Sequence, residues 1–318
     1  MRFIVLTFVL LFAACVPEPE GSSFDVILAG GTVYSGADEE GVIADIGING
    51  DRIVAVGDLG ESKAVLGLDV SGLAVVPGFI DIHSHAVRSD PTDGIFRWPD
   101  AENLIRQGVT TVIGGPDGSS PLPITDTLTA LEENPASVNF GTFVGHGSIR
   151  GLIVGEEDRM PTDEELDSMR AEVRKAMEAG AFGLSSGLIY LPGRFATTEE
   201  VIELSKVAAE YNGLYISHMR EEGLDLLKSV AETIRIGEEG GLPTQLTHHK
   251  VVGAPMWGKS VDTLRMVDEA IARGVDVSID QYPYTASSTS LTILFLSLIH
   301  ICRCRRIERC RSRWSPYH

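Results

Sequence analysis

From residue 78 onward, short apolar runs alternate with longer amphipathic stretches, and each run closes on glycine or polar residues. That order restricts the chain to parallel strands joined by helices, because an apolar run that short must be covered on both faces. The runs end near IDIHSH (80–85), TTVIGGPDG (110–118), NFGTFVGHG (139–147), AFGLSSG (181–187), LYISHMR (214–220), TQLTHHK (244–250) and DVSIDQYPY (276–284). Thr162 with Glu165 and Thr197 with Glu200 have capping-box spacing, and Ser260 precedes a helical run closed by Gly274. Seven strands in this order predict an α/β chain of the (β/α)8 TIM-barrel type. Such a barrel takes about 250 residues, so one that starts near 78 should run past 320. The stretch 78–295 is therefore expected to be an incomplete barrel with seven of its strands.

Residues 24–77 carry a different pattern. FDVILAGGTVY, DIGINGDRIVAVG and AVLGLDVSGLAVVPG are β-rich runs between glycine turns, with a hairpin expected around Asn49-Gly50-Asp51 and no helix signal. The first residues, MRFIVLTFVLLFAAC, place Arg2 before an apolar run too short to span a bilayer. Phe12-Ala13-Ala14 before Cys15 resembles a bacterial lipobox, although Phe12 stands where Leu is usual. Residues 1–14 are thus expected to be a lipoprotein signal, 15–23 a flexible tether, and the protein to be exported to the cell envelope with a lipid on Cys15. An ordinary cleaved signal or a misassigned start codon are the alternatives. With a net charge of −19 the surface repels phosphate backbones, which excludes nucleic acid as a partner. Of the four cysteines three lie after residue 300, so the body has no disulfide framework and no thiolate metal site.

Six histidines, His83, His85, His146, His218, His248 and His249, all fall at the C-terminal ends of predicted strands, the rim where a (β/α) barrel collects its reactive groups. His83 and His85 are two residues apart on one strand and point to one face. With His218 and His248 from other strand ends, and Asp117 closing the second strand, they form a candidate metal site. Imidazoles and a carboxylate without thiolate suit zinc with a position left for water. His249 points to the other face and reads as supporting structure. His146 either supports a ligand or is hydrogen-bonded beneath the rim.

Several segments are specific in combination: ILAGGTVYSG, PGFIDIHSH, GLSSGLIYLPGRFAT, SHMREEG, THHKVVG and DQYPYTASST. Together they resemble the amidohydrolase superfamily, in its N-acyl-D-amino-acid deacylase branch, over residues 24–295. The resemblance implies a β-sandwich of which 24–77 form half, and one or two zinc ions on His83, His85, His218 and His248. It also implies hydrolysis of the amide bond of a small N-acyl-D-amino acid. The family carries a cysteine after strand two in an N-C-G context; here Pro116-Asp117-Gly118 stands there, and a harder carboxylate replaces the thiolate. Strand four ends Ser185-Ser186-Gly187 without the lysine that bridges two metals in hydantoinases and dihydroorotases. The chemistry is attack by water acidified from a pKa near 16 to roughly 7 on a polarised carbonyl. Tyr190 is a candidate oxyanion donor. Lys250 is the candidate for the substrate carboxylate, with Arg220, Tyr282, Tyr284 and Ser288 assisting; a rim salt bridge with Glu221 or Glu222 is the other reading of Arg220. Trp257 and Met256 either line an acyl pocket or simply pack. The family's general base, an aspartate after strand eight, is absent from this chain. Alternatives are a related amidohydrolase acting on a dipeptide or N-acyl-D-glutamate, or a non-catalytic metal- or ligand-binding lipoprotein.

The end of the chain, LSLIHICRCRRIERCRSRWSPYH (296–318), carries three cysteines, His300 and six arginines. The cysteine spacing fits no common zinc site, and a basic tail would interrupt a barrel before its last strand. LSLIHI matches the translation of a transposon end used in sequencing libraries, and CRSRWSPYH that of a flow-cell primer, apart from one base at the codon of Cys302. The expectation is a native sequence ending near Phe295 and a 318-residue chain that is insoluble or inactive, with unpaired strand edges.

Overall fold

A computed structural model of the chain describes residues 23–37, 40–87 and 93–289. The expected signal, most of the expected tether, Cys15 and the 296–318 tail lie outside the described residues. The chain divides into two compact units after Gly78.

The first unit is all β: β1 (Ser23–Val33), β2 (Val42–Asn49), β3 (Arg52–Gly57), β4 (Lys63–Asp69) and β5 (Ala74–Val75). Its first strand takes in Ser23, which the sequence had assigned to the tether. β1 pairs antiparallel with β2 and parallel with β4 and β5, giving the order β3-β2-β1-β4. β2 and β3 form the expected hairpin: Asn49 pairs with Arg52 across Gly50-Asp51, and the Gly50 N–H donates to Asp25 Oδ2 at 2.7 Å. Phe24 and Ile46 are buried, and Phe24 packs so closely on Gly47 that a Cβ there would stand 2.5 Å from its ring.

The second unit strings β6 (Phe79–Asp81), α1 (Glu102–Ile105), β7 (Val109–Gly114), α2 (Ile124–Glu133), β8 (Asn139–Thr142), β9 (Val144–Gly145), α3 (His146–Ile153) and α4 (Asp163–Glu178). It continues with β10 (Gly183–Gly187), α5 (Thr198–Ala209), β11 (Leu214–His218), α6 (Leu226–Gly240), β12 (Thr244–Leu246), α7 (Ser260–Ala272) and β13 (Val277–Ile279). All pairings are parallel between chain neighbours: β6-β7-β8, then β9-β10-β11-β12-β13. β8 and β9 are one strand interrupted at Phe143, whose N–H still donates to Gly114 O at 2.9 Å. Seven strand positions with helices between them are the wall of a (β/α) barrel, as the sequence predicted. Parallel alignment places the C-terminal end of every strand on one rim.

The helices hold because their apolar stripes meet the outer face of that wall. Met169, Val173 and Met177 of α4 and Val201, Leu204 and Ala208 of α5 pack on Val144, Leu184 and Tyr215 of the sheet. Each such side chain, fully buried, contributes roughly 1.5–3 kcal/mol. Thr162 opens α4 with both halves of a capping box: its Oγ1 accepts from Glu165 N–H, and Glu165 reaches back to Thr162 N–H. At Thr197 only half forms. Thr197 Oγ1 accepts from Glu200 N–H, but the Glu200 carboxylate turns inward to His146 and Arg150. His146 itself is not at a strand end, contrary to expectation. β9 stops at Gly145, and His146 is the first residue of α3.

Candidate metal centre

Five side chains from four strand ends converge on the rim. His83 and His85 lie just beyond β6 rather than on it, because the Asp81 side chain accepts the His83 N–H at 3.1 Å and turns the chain. Asp117 follows β7 in a left-handed conformation (φ 56°). Its loop is held against β10: Ser185 Oγ donates to Gly115 O at 2.5 Å and accepts from Gly118 N–H at 3.1 Å. A Cβ on Gly118 would meet Gly187 N at 2.6 Å, so only glycine fits that approach. His218 ends β11. His248 follows β12 with φ 39°, its N–H donated to the Asp280 carboxylate. Non-glycine residues in that region carry strain, which the surrounding contacts must overcome.

Asp117 is the centre of the cluster. Its Oδ1 stands 3.4 Å from His83 Nε2, 3.5 Å from His218 Nδ1 and 3.6 Å from His248 Nε2, and its Oδ2 stands 3.2 Å from His85 Nε2. His218 Nδ1 and His248 Nε2 are 2.8 Å apart. Asp117 Oδ1 is buried with no hydrogen-bond partner. The contacts around it are too long for hydrogen bonds, yet close to the spacing of roughly 3.3–3.5 Å between atoms that share one zinc at bonds of about 2.0–2.2 Å. His83, His85 and Asp117 form one potential ligand group and Asp117, His218 and His248 another. Asp117 belongs to both, so the donor set would suit one ion or two.

The electrostatics favour a cation. Burial alone would raise the Asp117 carboxyl, but the four surrounding imidazoles hold it far below the usual range. Burial alone would lower His83, but Asp117 and Asp280 raise it to about 9. His248 is also raised, against its burial, by Asp117 and Glu222, while burial wins at His218 and lowers it.

The cluster opens into a cavity of about 500 Å³ that Tyr190, Glu222, Lys250, Asp280, Tyr282 and Ser288 help to line. Tyr190 packs edge-on against His218, ring centroids 4.7 Å apart, with its hydroxyl 2.8 Å from Thr289 Oγ1. Burial raises the Tyr190 phenol, so it stays protonated as a donor. Lys250 Nζ donates to Glu222 Oε1 at 2.5 Å and to His248 O at 2.9 Å, and stands 5.6 Å from the centroid of the Tyr282 ring.

Other expected residues lie elsewhere. Arg220 does not face this cavity: its guanidinium grips Glu232 on α6 and the carbonyls of Arg194 and Ala196. The salt bridge is therefore with Glu232, not Glu221 or Glu222, and fastens α6 to the loop after β10. Tyr284 is 75% exposed and only stacks on Tyr282. Trp257 is exposed, and Met256 packs on the core beside α6 and α7; neither lines the cavity. His249 donates to or accepts from Thr263 Oγ1 at 2.8 Å, on the face away from the cluster. His146 is fully buried against Glu200, 2.8 Å away. Two carboxylates line the site without the sequence having placed them there: Asp280, and Glu222, which was considered only as a partner of Arg220. Glu222 Oε1 is 3.1 Å from His248 Nδ1, and Asp280 Oδ2 is 3.6 Å from His83 Nδ1. The available signal was position, since Asp280 directly follows β13 and Glu222 lies in the loop that follows His218.

A parallel barrel wall with imidazoles and a shared carboxylate on its C-terminal rim defines a metal-site barrel protein. The sequence pattern of the Amidohydrolase family matches residues 67–298. The chain belongs to that family. It is 40% identical over 297 residues to a D-aminoacylase of Alcaligenes xylosoxydans xylosoxydans, covering 86% of this chain and 60% of the relative. A crystal structure of D-aminoacylase superposes with a TM-score of 0.76 at 38% identity, covering 83% of this chain and 59% of that one. The N-acyl-D-glutamate deacylase of Bordetella bronchiseptica, complexed with zinc and a phosphonate inhibitor, superposes at 0.77 with 33% identity over the same shares. The chain thus spans about three fifths of the length of these relatives.

Proposed function

We propose that this protein is a zinc-dependent amidohydrolase that cleaves N-acyl-D-amino acids to a carboxylate and a free D-amino acid. The observation that carries the proposal is the convergence of Asp117 with four imidazoles beside a cavity that also holds Lys250. His83, His85, Asp117, His218 and His248 would hold one or two zinc ions. When bound, zinc supplies Lewis acidity to an amide carbonyl and acidifies water. The Tyr190 hydroxyl is a neutral donor on the same cavity wall, suited to an oxygen that gains negative charge. Lys250, with Tyr282 and Ser288 on the same wall, gives the substrate carboxylate a cationic partner at a fixed distance from the cluster. The Tyr282 phenol is raised by burial and the Glu222 charge, so it too remains a donor. Glu222 already balances Lys250, so the arriving carboxylate shares that ammonium rather than meeting a bare charge.

The test is to load the protein with zinc and offer it N-acetyl-D-leucine, N-acetyl-D-glutamate and N-acetyl-D-aspartate with their L enantiomers. Binding is read by calorimetry and hydrolysis by release of free amino acid. Zinc-dependent preference for the D series supports the proposal. Equal or absent binding of both hands by protein that holds stoichiometric zinc refutes it. Binding without turnover favours the non-catalytic metal- or ligand-binding reading. Export with a lipid on Cys15 is proposed as well, and radiolabelled palmitate that fails to enter the protein in a bacterial host would refute it.

A further inference from the structure

Asp280 lies immediately after β13, and its two oxygens do different work. Oδ1 accepts the backbone N–H of His248. Oδ2 accepts from Gln245 Nε2 and faces His83 Nδ1 at 3.6 Å. That nitrogen is buried and has no hydrogen-bond partner. At 3.6 Å the contact is too long for a formed hydrogen bond, but no other carboxylate oxygen is paired with it among the described residues. His83 turns its other nitrogen, Nε2, to Asp117. Each Asp280 oxygen thus accepts from a fixed donor, and together the two bonds hold the carboxylate in one orientation.

Resting on the zinc reading above, we propose that Asp280 is a positioning residue of the metal centre. One carboxylate sets the tautomer of His83 and the backbone conformation of His248, two candidate ligands that arrive from β6 and β12. An imidazole can ligate only through a nitrogen that carries no proton, so an acceptor at Nδ1 keeps the proton there and leaves Nε2 bare. The second action concerns the left-handed backbone of His248 (φ 39°). The N–H bond to Asp280 anchors it and with it the direction of the ring.

The two actions separate in Asp280→Asn. The asparagine oxygen can still accept the His248 N–H, but its NH₂ then faces His83 Nδ1, where an acceptor is required. His83 is driven to the tautomer with the proton on Nε2, facing Asp117. Zinc affinity, measured by competition with a chromophoric chelator, should fall roughly 10- to 100-fold, while the melting temperature of the metal-free protein stays within about 2 °C. In a His83→Ala background the same change should cost less than roughly 3-fold, because Asp117, His218 and His248 remain and the tautomer no longer matters. A measurement without any substitution reads the same point: ¹⁵N-histidine NMR of the zinc-loaded protein should show His83 protonated at Nδ1. Folded Asp280→Asn that binds zinc within twofold of the parent overturns the proposal, as does a His83 proton on Nε2. A parent protein that binds no zinc overturns the metal reading along with it, so the two failures are distinguishable.

Discussion

Replacing Glu200 by glutamine should be among the most destabilising single changes in this protein, although Glu200 touches no candidate ligand. Glu200 sits on α5 with a side chain 2% exposed, and Arg150 on α3 is fully buried. One carboxylate oxygen meets His146 Nε2 at 2.8 Å, and the other accepts from Arg150 Nη1. The remaining Arg150 contact is to the carbonyl of Arg159 at 2.5 Å. Glutamine keeps the shape but removes the charge, leaving a buried guanidinium balanced only by a neutral carbonyl. Breaking a buried pair in this way costs about 3–5 kcal/mol, roughly a hundredfold to several-thousandfold in the unfolding equilibrium at 1.36 kcal/mol per decade. That is a large fraction of the 5–15 kcal/mol typical of a folded domain. The assay is urea unfolding followed by circular dichroism at neutral pH. The pair Arg150→Met with Glu200→Leu, which removes both charges, should recover more than half of the loss. Acid gives an independent sign. Burial would raise the Glu200 carboxyl, but the His146 hydrogen bond and the charges of His146 and Arg150 hold it below its ordinary value. Its stabilisation is therefore present above an unfolded pKa of about 4.3 and lost as the pH falls below it towards the folded value. The glutamine variant should lack that part of the acid limb. A loss under about 1 kcal/mol, or an unchanged acid limb, would refute the claim that this pair holds α3 to α5.

Three further outcomes are expected. Asp117→Asn removes the charge that faces all four imidazoles and should weaken zinc binding by more than roughly 100-fold, measured by chelator competition. Lys250→Met should weaken binding of an N-acyl-D-amino acid by about 1.5–3 kcal/mol, or roughly 10- to 100-fold, in calorimetry; an analogue with an amide in place of the carboxylate should be little affected. Arg220→Met should leave the affinity for both compounds unchanged and cost only about 1 kcal/mol of stability in urea, because its grip on Glu232 is partly exposed. An affinity change as large as that of Lys250→Met would return Arg220 to the substrate.

The local order of the chain was legible because it depends on nearest neighbours. A strand's apolar run, the Thr162–Glu165 cap and the Asn49-Gly50-Asp51 hairpin are decided within a few residues. The seven strand positions, and with them the rim where His83, His85, Asp117, His218 and His248 meet, followed from that order and from the handed, parallel packing it forces. Partner choice among polar side chains was not legible. Arg220 and Lys250 each stand two residues after a candidate ligand, so spacing assigns them the same direction. In the fold, α6 brings Glu232 to Arg220 and draws it away from the cavity, while Lys250 finds Glu222 inside it. Asp280 and Glu222 were not placed at the site for the same reason: the histidines they face, His83 for Asp280 and His248 for Glu222, are distant along the chain. For His146 the sequence left two roles open, support of a ligand or a hydrogen bond beneath the rim, and the second holds because Glu200 reaches it from 54 residues away. Periodicity decides which way a backbone runs and which face is apolar; where a charge ends up depends on which opposite charge the packing of distant helices delivers to it.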